Sequence, residues 1–272
     1  MIAVSIDGVI GGAEASLPVL DPGLLHGDLV FETLRAHRGA PIDVEPHLDR
    51  FVEGARALAL EVPARPAIRA ALDATVAAAG DPDLRVRVIA TRAGRLIVTA
   101  EPCDALSSSP PAIVVAEVDR PLSDPRTLDP SLKTGNYLPS LLALRAARAL
   151  GADDAIRLTP AGLVAEGASA NLFAVIGGAL LTPPASLGVR AGVTRARVMA
   201  LAGDAVESAL TPADLDAATE IFLTSSIRGV AAVRRVLSAR GTIDHIAPGP
   251  RTRAVAAAYH QFATAVAPGA GR

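Results

Sequence analysis

From Pro102 to Pro111 the chain reads Pro-Cys-Asp-Ala-Leu-Ser-Ser-Ser-Pro-Pro, and no regular element can run through it. Clustered Ser and Pro neither propagate a helix nor supply a central strand. A chain of 272 residues has length for one or two domains, and this stretch is the clearest candidate for a boundary. We place a smaller N-terminal α/β domain at 1–105, a linker at 106–111 and a larger C-terminal domain at 112–272.

Both halves mix strands with helices. Residues 1–7 read as a strand closed by Asp7-Gly8, and from Glu45 the residues Leu48, Phe51, Ala55, Leu58 and Ala59 recur at helical spacing. A second helix follows Pro66 and stops at Gly80-Asp81-Pro82; 84–92 and 95–100 form a hairpin across Ala93-Gly94. Beyond the linker, 112–118 reads as a strand, 138–150 as a helix, and 153–158 and 163–175 as strands. Gly192–Ala202 and Pro212–Ala218 read as helices, the latter capped by Thr211, and Ile221–Thr224 as a short strand. Fraying is expected from about Ala265. No solenoid repeat appears, so the class is α/β (α+β) in two lobes.

Composition removes several functions. With 28 acidic against 26 basic residues the formal charge is -2, which leaves no positive field for nucleic acid or an anionic membrane. Seven aromatics and no Trp offer no stacking platform for bases. No apolar run reaches the roughly 18–20 residues of a membrane span. The single Cys103 excludes an internal disulfide framework and any cysteine-built zinc or iron–sulfur site, and no metal is expected. The N-terminal segment shows no signal pattern, so a cytoplasmic location is expected.

Of the 26 basic side chains, 25 are Arg and one is Lys, at Lys133. Arg substitutes for Lys wherever a fixed charge suffices, but a guanidinium cannot readily lose its proton and attack a carbonyl. A lone Lys can also survive by drift on a solvated surface. The residues around it decide: Ser131-Leu-Lys133-Thr-Gly-Asn-Tyr137-Leu stands between an irregular stretch and a helix, where a flexible amine can project.

Lys133-Thr-Gly-Asn-Tyr-Leu, followed by a helix and then by Val164-Ala-Glu-Gly-Ala-Ser-Ala-Asn-Leu-Phe173, resembles the class IV, fold type IV pyridoxal-phosphate family. That family holds branched-chain aminotransferases, D-amino-acid aminotransferases and 4-amino-4-deoxychorismate lyases. Leu25–Arg35, His47–Arg50, Gly192-Val-Thr-Arg195 and Phe222–Val230 match in the family's order, so the resemblance spans nearly the whole chain. It implies a two-domain fold of the D-amino-acid aminotransferase type, pyridoxal 5'-phosphate as cofactor, an amino-acid-like small-molecule substrate and a homodimer.

Carried over residue by residue, the resemblance makes Lys133 the Schiff-base and proton-shuttling amine, and Glu166 the partner of the protonated pyridine nitrogen. Arg50, Val193, Thr194, Ser225 and Ser226 would hold the phosphate, through a guanidinium fork, a helix start and hydroxyls. Tyr137 would touch the phenolic oxygen. Thr33, Arg35, Arg92 and Arg228 would face the substrate. The segment Ser226-Ile-Arg-Gly-Val230 looks more like that of the lyases, and cations at Arg92 and Arg228 suit a dicarboxylate. The expectation is therefore a lyase releasing 4-aminobenzoate and pyruvate, with an aminotransferase of D- or branched-chain amino acids using 2-oxoglutarate as the alternative. Leu29 departs from the small residue usual at its place, and the link from Arg92 to Arg95 is short.

Overall fold

The computed structural model describes residues 1–124, 126 and 128–265. Two compact units result: Met1–Leu106 with Leu132–Asn136 and the described residues from Phe262, and Ser107–Ser131 with Tyr137–Gln261. The second body was expected to be the continuous stretch 112–272, whereas the five residues around Lys133 group with the first unit.

The first unit contains β1 (Ala3–Ile6), β2 (Val9–Gly11), α1 (Pro22–His26), β3 (Leu29–His37), β4 (Ala40–Pro41), α2 (Val44–Ala57), α3 (Arg65–Ala79), β5 (Asp83–Thr91) and β6 (Leu96–Pro102). Its strands form an antiparallel sheet in the order β2-β1-β6-β5-β3-β4. Leu48, Phe51 and Ala55 of α2, with Ile68, Leu72 and Val76 of α3, pack in one core with Val30, Leu34, Val86, Val88 and Val98 of the sheet. Each large apolar side chain so buried contributes about 1.5–3 kcal/mol. Helix α3 stops where Gly80 takes φ 70°, donating its N–H to the Val76 carbonyl.

The second unit contains β7 (Ala112–Glu117), α4 (Leu138–Ala149), β8 (Asp154–Leu158), β9 (Val164–Gly167), β10 (Asn171–Ile176), β11 (Ala179–Thr182), α5 (Val193–Ala202), β12 (Val206–Glu207), α6 (Pro212–Asp216), β13 (Glu220–Ser225), β14 (Gly229–Ser238), β15 (Gly241–Asp244) and, up to Gln261, α7 (Pro250–Ala265). Strands β10, β13, β14, β7, β8 and β9 pair in that order, and β9 pairs back to β10, closing a ring. The pairs of β7 with β14 and with β8 are parallel.

Three sequence expectations change here. The strand expected over 163–175 is two antiparallel strands, because Gly167 donates to the Ala170 carbonyl at 2.6 Å and reverses the chain. The helix opened by Thr211 ends at Asp216, two residues early; Thr211 caps it as expected, and Asp214 returns the bond to the Thr211 N–H. Strand β14 and helix α7 were not anticipated. The fraying expected after Ala265 lies outside the described residues. No helix among the described residues is long and apolar enough to cross a membrane.

Candidate active site

In the first unit the segment carrying Lys133 completes a strand edge. Phe31 donates its N–H to the Lys133 carbonyl at 2.9 Å, Gly135 donates to the Leu29 carbonyl at 3.1 Å, and Val30 bridges Thr134. These bonds satisfy the end of β3 that no sheet neighbour covers and fix the backbone of Lys133. Gly135 makes the approach possible: a Cβ there would lie 2.7 Å from the Gly27 carbonyl oxygen. The Lys133 Nζ stands 4.2 Å from the centroid of the Phe31 ring. Thr33, two residues along the strand, shares the face of Phe31.

On the opposite face of β3, Glu32 is 1 % exposed and takes a fork from Arg50, with Nε to Oε1 at 2.7 Å and Nη2 to Oε2 at 2.8 Å. His47 Nδ1 lies 2.9 Å from Oε2. Burial alone would raise the Glu32 carboxyl, but the hydrogen bonds and charges of Arg50 and His47 hold it down to about 2. His47 and Arg50 sit three apart on α2, on the turn that also buries Leu48 and Phe51. The sequence reading singled out Arg50 and passed over Glu32, which holds it.

Two expected substrate cations are engaged otherwise. Arg35 is buried, with Nη1 2.5 Å from Asp83 Oδ1 and Nη2 on the Asp104 carbonyl, so it ties together the far end of this sheet. Arg92 pairs with Asp28 at 2.8 Å and donates to the carbonyls of Ala59 and Leu58, each at 2.6 Å, just past the end of α2. Arg35 shares the strand face of Phe31 but is held by Asp83, and the Arg92 guanidinium is held at the end of α2.

In the second unit Glu166 occupies a polar rung of the closed sheet. Arg157 of β8 and Asn171 of β10 stand opposite it on either side, and Thr224 of β13 stands opposite Asn171. Directly paired residues share a face, so four polar side chains line up where the neighbouring strand positions are apolar. Glu166 Oε2 accepts from Asn171 Nδ2 at 3.3 Å and from the Arg190 N–H at 3.2 Å. Asn171 also donates to the Arg190 carbonyl at 2.9 Å, and a Cβ on Gly192 would fall 1.9 Å from Asn171 Oδ1. Thus Gly192 is required for Asn171 to lie against the start of α5.

Tyr137 lies beside Arg190, whose guanidinium carbon is 5.9 Å from the ring centroid. Burial pushes the Tyr137 hydroxyl up, with Arg190 opposing. At α5 no side chain caps the helix start. Thr194 Oγ1 and Ser226 Oγ approach to 3.4 Å, bringing two hydroxyls to an uncapped, electropositive helix end. Ser225 Oγ instead accepts from the Arg228 N–H at 3.3 Å. Arg228 forms an ion pair with buried Asp154, so the third expected substrate cation is also neutralised from within its own unit. The sequence had passed over Asp154, Arg157, Asn171 and Arg190; an Arg inside the apolar run Ala155-Ile-Arg-Leu was the available signal.

A buried carboxylate and hydroxyls at a helix start are groups that a protonated ring nitrogen and a phosphate can bind. Thr224 Oγ1, buried without a hydrogen-bond partner, shows that this face is polar beyond what the fold itself satisfies. Such residues fit pyridoxal 5'-phosphate. Among the described residues no group of His, Cys, Asp or Glu is placed to hold a metal ion.

Comparison with known proteins makes the class specific. The family model described as amino-transferase class IV matches residues 29–236, and the chain belongs to that family. A putative branched-chain-amino-acid aminotransferase of Methanocaldococcus jannaschii is 33% identical over 234 residues, 78% of this chain and 80% of that protein. Branched-chain-amino-acid aminotransferase-like protein 1 of Arabidopsis thaliana is 29% identical over 94% of this chain, which spans about half, 49%, of that relative. Among solved structures, a branched-chain aminotransferase of Thermoproteus uzoniensis with norvaline superposes with a TM-score of 0.86 at 28% identity, covering 96% of this chain and 94% of that one. A second branched-chain amino acid aminotransferase, solved with pyridoxamine 5'-phosphate, gives 0.85 at 26% identity, covering 98% and 95%. The protein is a class IV enzyme of fold type IV that uses pyridoxal phosphate. None of these relatives is named as a lyase, and the finer expectation of 4-amino-4-deoxychorismate cleavage gains nothing from them.

Proposed function

We propose that the protein is an aminotransferase that moves the amino group of a branched-chain amino acid to 2-oxoglutarate. The observation that carries this reading is the 33% identity, across most of both chains, to the relative named as a putative enzyme of that kind.

Pyridoxal phosphate, when bound, supplies a ring that withdraws the electron pair left when the substrate Cα–H bond breaks. Lys133 carries the cofactor and moves the proton with its Nζ. Glu166 faces the ring nitrogen, and Tyr137 the phenolic oxygen. Val193, Thr194, Ser225, Ser226 and the Arg50 guanidinium would serve the phosphate, with Glu32 holding that guanidinium by its Nε and Nη2. Thr33 lines the substrate side. A homodimer and a cytoplasmic location belong to the same reading.

An amino-donor panel of L-leucine, L-isoleucine, L-valine and D-alanine with 2-oxoglutarate, scored for glutamate, tests the proposal. 4-Amino-4-deoxychorismate is run in parallel and scored for 4-aminobenzoate. Glutamate from the branched-chain donors is expected; aromatic product without transamination overturns the reading. Borohydride reduction of the holoprotein should fix the cofactor on the Lys133 peptide, and Lys133→Arg should lose both colour and turnover.

A further inference from the structure

The rung that carries Glu166 also holds a buried cation with no carboxylate of its own. Arg157 is 4 % exposed. Its Nε donates to the Arg120 carbonyl at 3.1 Å, Nη1 to Ser140 Oγ at 3.2 Å and Nη2 to the Pro121 carbonyl at 2.8 Å. All three acceptors are neutral, and a guanidinium taken out of water is costly unless an anion compensates it. Burial accordingly pulls its pKa down, with Glu166 as the leading opposing influence. The register explains why: Arg157 is the direct cross-strand partner of Glu166, which places their Cβ atoms about 5 Å apart on one face.

The other groups around Glu166 come from separate elements. Asn171 of β10 and the N–H of Arg190, ahead of α5, bond its Oε2. Tyr137, which precedes α4, feels both Glu166 and Asp154 of β8. Arg190 adds a second cation, but its guanidinium is directed to Tyr137 and to the Pro130 carbonyl at 3.3 Å. Arg157 is therefore the charge that faces Glu166 across the sheet, and its three anchors hold it from collapsing into a direct ion pair.

We propose that Arg157 is a positioning residue for the reaction, a fixed positive charge that keeps Glu166 a carboxylate without occupying the oxygens the cofactor's ring nitrogen needs. This rests on the reading of Glu166 as the ring-nitrogen partner. A contact ion pair would compete with the ring nitrogen for Glu166. An apolar residue at 157 would remove the cation that stands opposite buried Glu166 in the sheet, favouring its protonated form.

The test separates charge from anchoring. Arg157→Gln removes the charge and keeps an amide donor; Arg157→Lys keeps the charge and loses the fork. Each holoprotein is titrated with pH through the absorbance of its bound cofactor, and kcat and KM are measured alongside. Arg157→Gln is expected to move the titration midpoint by about one pH unit or more and to lower kcat about tenfold with KM little changed. Arg157→Lys should keep the midpoint of the unsubstituted protein, and adding Arg157→Gln to Glu166→Gln should change nothing further. A Gln variant that titrates normally, or Lys and Gln variants that shift alike, overturns the proposal and leaves Arg157 as an anchor for α4 and the Arg120–Pro121 segment. Should Arg157→Gln not fold, Arg157→Lys decides: a normal midpoint supports the proposal and a shifted one refutes it. An unsubstituted protein in which borohydride fixes no cofactor on Lys133 overturns the proposed function and this inference with it. One that loads normally while Arg157→Gln titrates unchanged overturns the inference alone.

Discussion

Replacing Gly135 with Ala tests how the fold places Lys133. The added Cβ would sit 2.7 Å from the Gly27 oxygen, 2.8 Å from Gly27 Cα and 2.8 Å from Leu29 Cγ. Two of those atoms are backbone and cannot rotate away. Ordinary carbon contacts begin near 3.5 Å, so the Lys133 segment and β3 must part by roughly 0.7 Å. Overpacking of that kind costs about 1–3 kcal/mol. The same displacement stretches the bonds from Gly135 to Leu29 and from Phe31 to Lys133, now 3.1 and 2.9 Å, each worth about 1 kcal/mol. The expected loss is about 2–4 kcal/mol, a fall in melting temperature of roughly 5–15 °C. Cofactor fixed on Lys133 by borohydride should fall in parallel, because the carbonyl of Lys133 is one of the atoms displaced. Gly12→Ala is the control: nothing lies within 4 Å of a Cβ there and its backbone is unstrained, so it should change stability by less than about 0.5 kcal/mol. A Gly135→Ala protein that melts and loads like the unsubstituted one would refute the close approach as the reason for glycine.

Other consequences follow from the same geometry. Glu32 is held down to about 2 in the fold from an ordinary value of 4.5, so its contribution is present above pH of about 4.5 and is lost as pH falls toward 2. Glu32→Gln should flatten that acid limb of the stability profile and weaken the cofactor by releasing Arg50; an unchanged acid limb would remove Glu32 from the account. Thr194→Ala with Ser226→Ala should raise the cofactor dissociation constant about tenfold or more, by loss of hydrogen bonds to a charged group, and equal affinity would take these hydroxyls out of the phosphate site. Glu220→Ala should loosen the start of α7, since its carboxylate accepts from the N–H groups of Arg251 at 3.0 Å and Thr252 at 2.8 Å and from Thr252 Oγ1 at 2.7 Å. Hydrogen exchange across 250–256 would show the loss, at a cost of about 1–2 kcal/mol, and unchanged protection would refute the cap.

What the sequence made legible was local. The helices α2, α3, α4 and α5 and the hairpin of β5 and β6 were visible because spacing, turn glycines and prolines act within a few residues. Helix α7 was not, because its N-terminal donors are met by Glu220, 31 and 32 residues earlier in the chain, a partner that local spacing does not reveal. Strand β14 opens on Val230-Ala-Ala-Val233, a run whose length and composition fit either a buried helix turn or a strand; only pairing with β13 and β7 decides it. The reversal at Gly167 was hidden for a related reason, since Val164–Ile176 is apolar enough to pass as one strand until β9 and β10 pair with each other.

The same distinction runs through the site. Lys133 and Glu166 stood out in the sequence because their chemistry is scarce or because a motif encloses them, whereas an Arg in an Arg-rich chain carries no such mark. Arg35, Arg92 and Arg228 each looked available to a substrate, and each is matched to Asp83, Asp28 or Asp154 at separations of 48, 64 and 74 residues. Arg157, embedded in an apolar strand, looked like an accident of composition. Yet its guanidinium is buried and its three hydrogen-bond acceptors are all neutral, so its charge is left to act on a neighbour. In a protein that writes nearly every cation as Arg, function lies less in where a positive charge occurs than in whether the fold has already neutralised it.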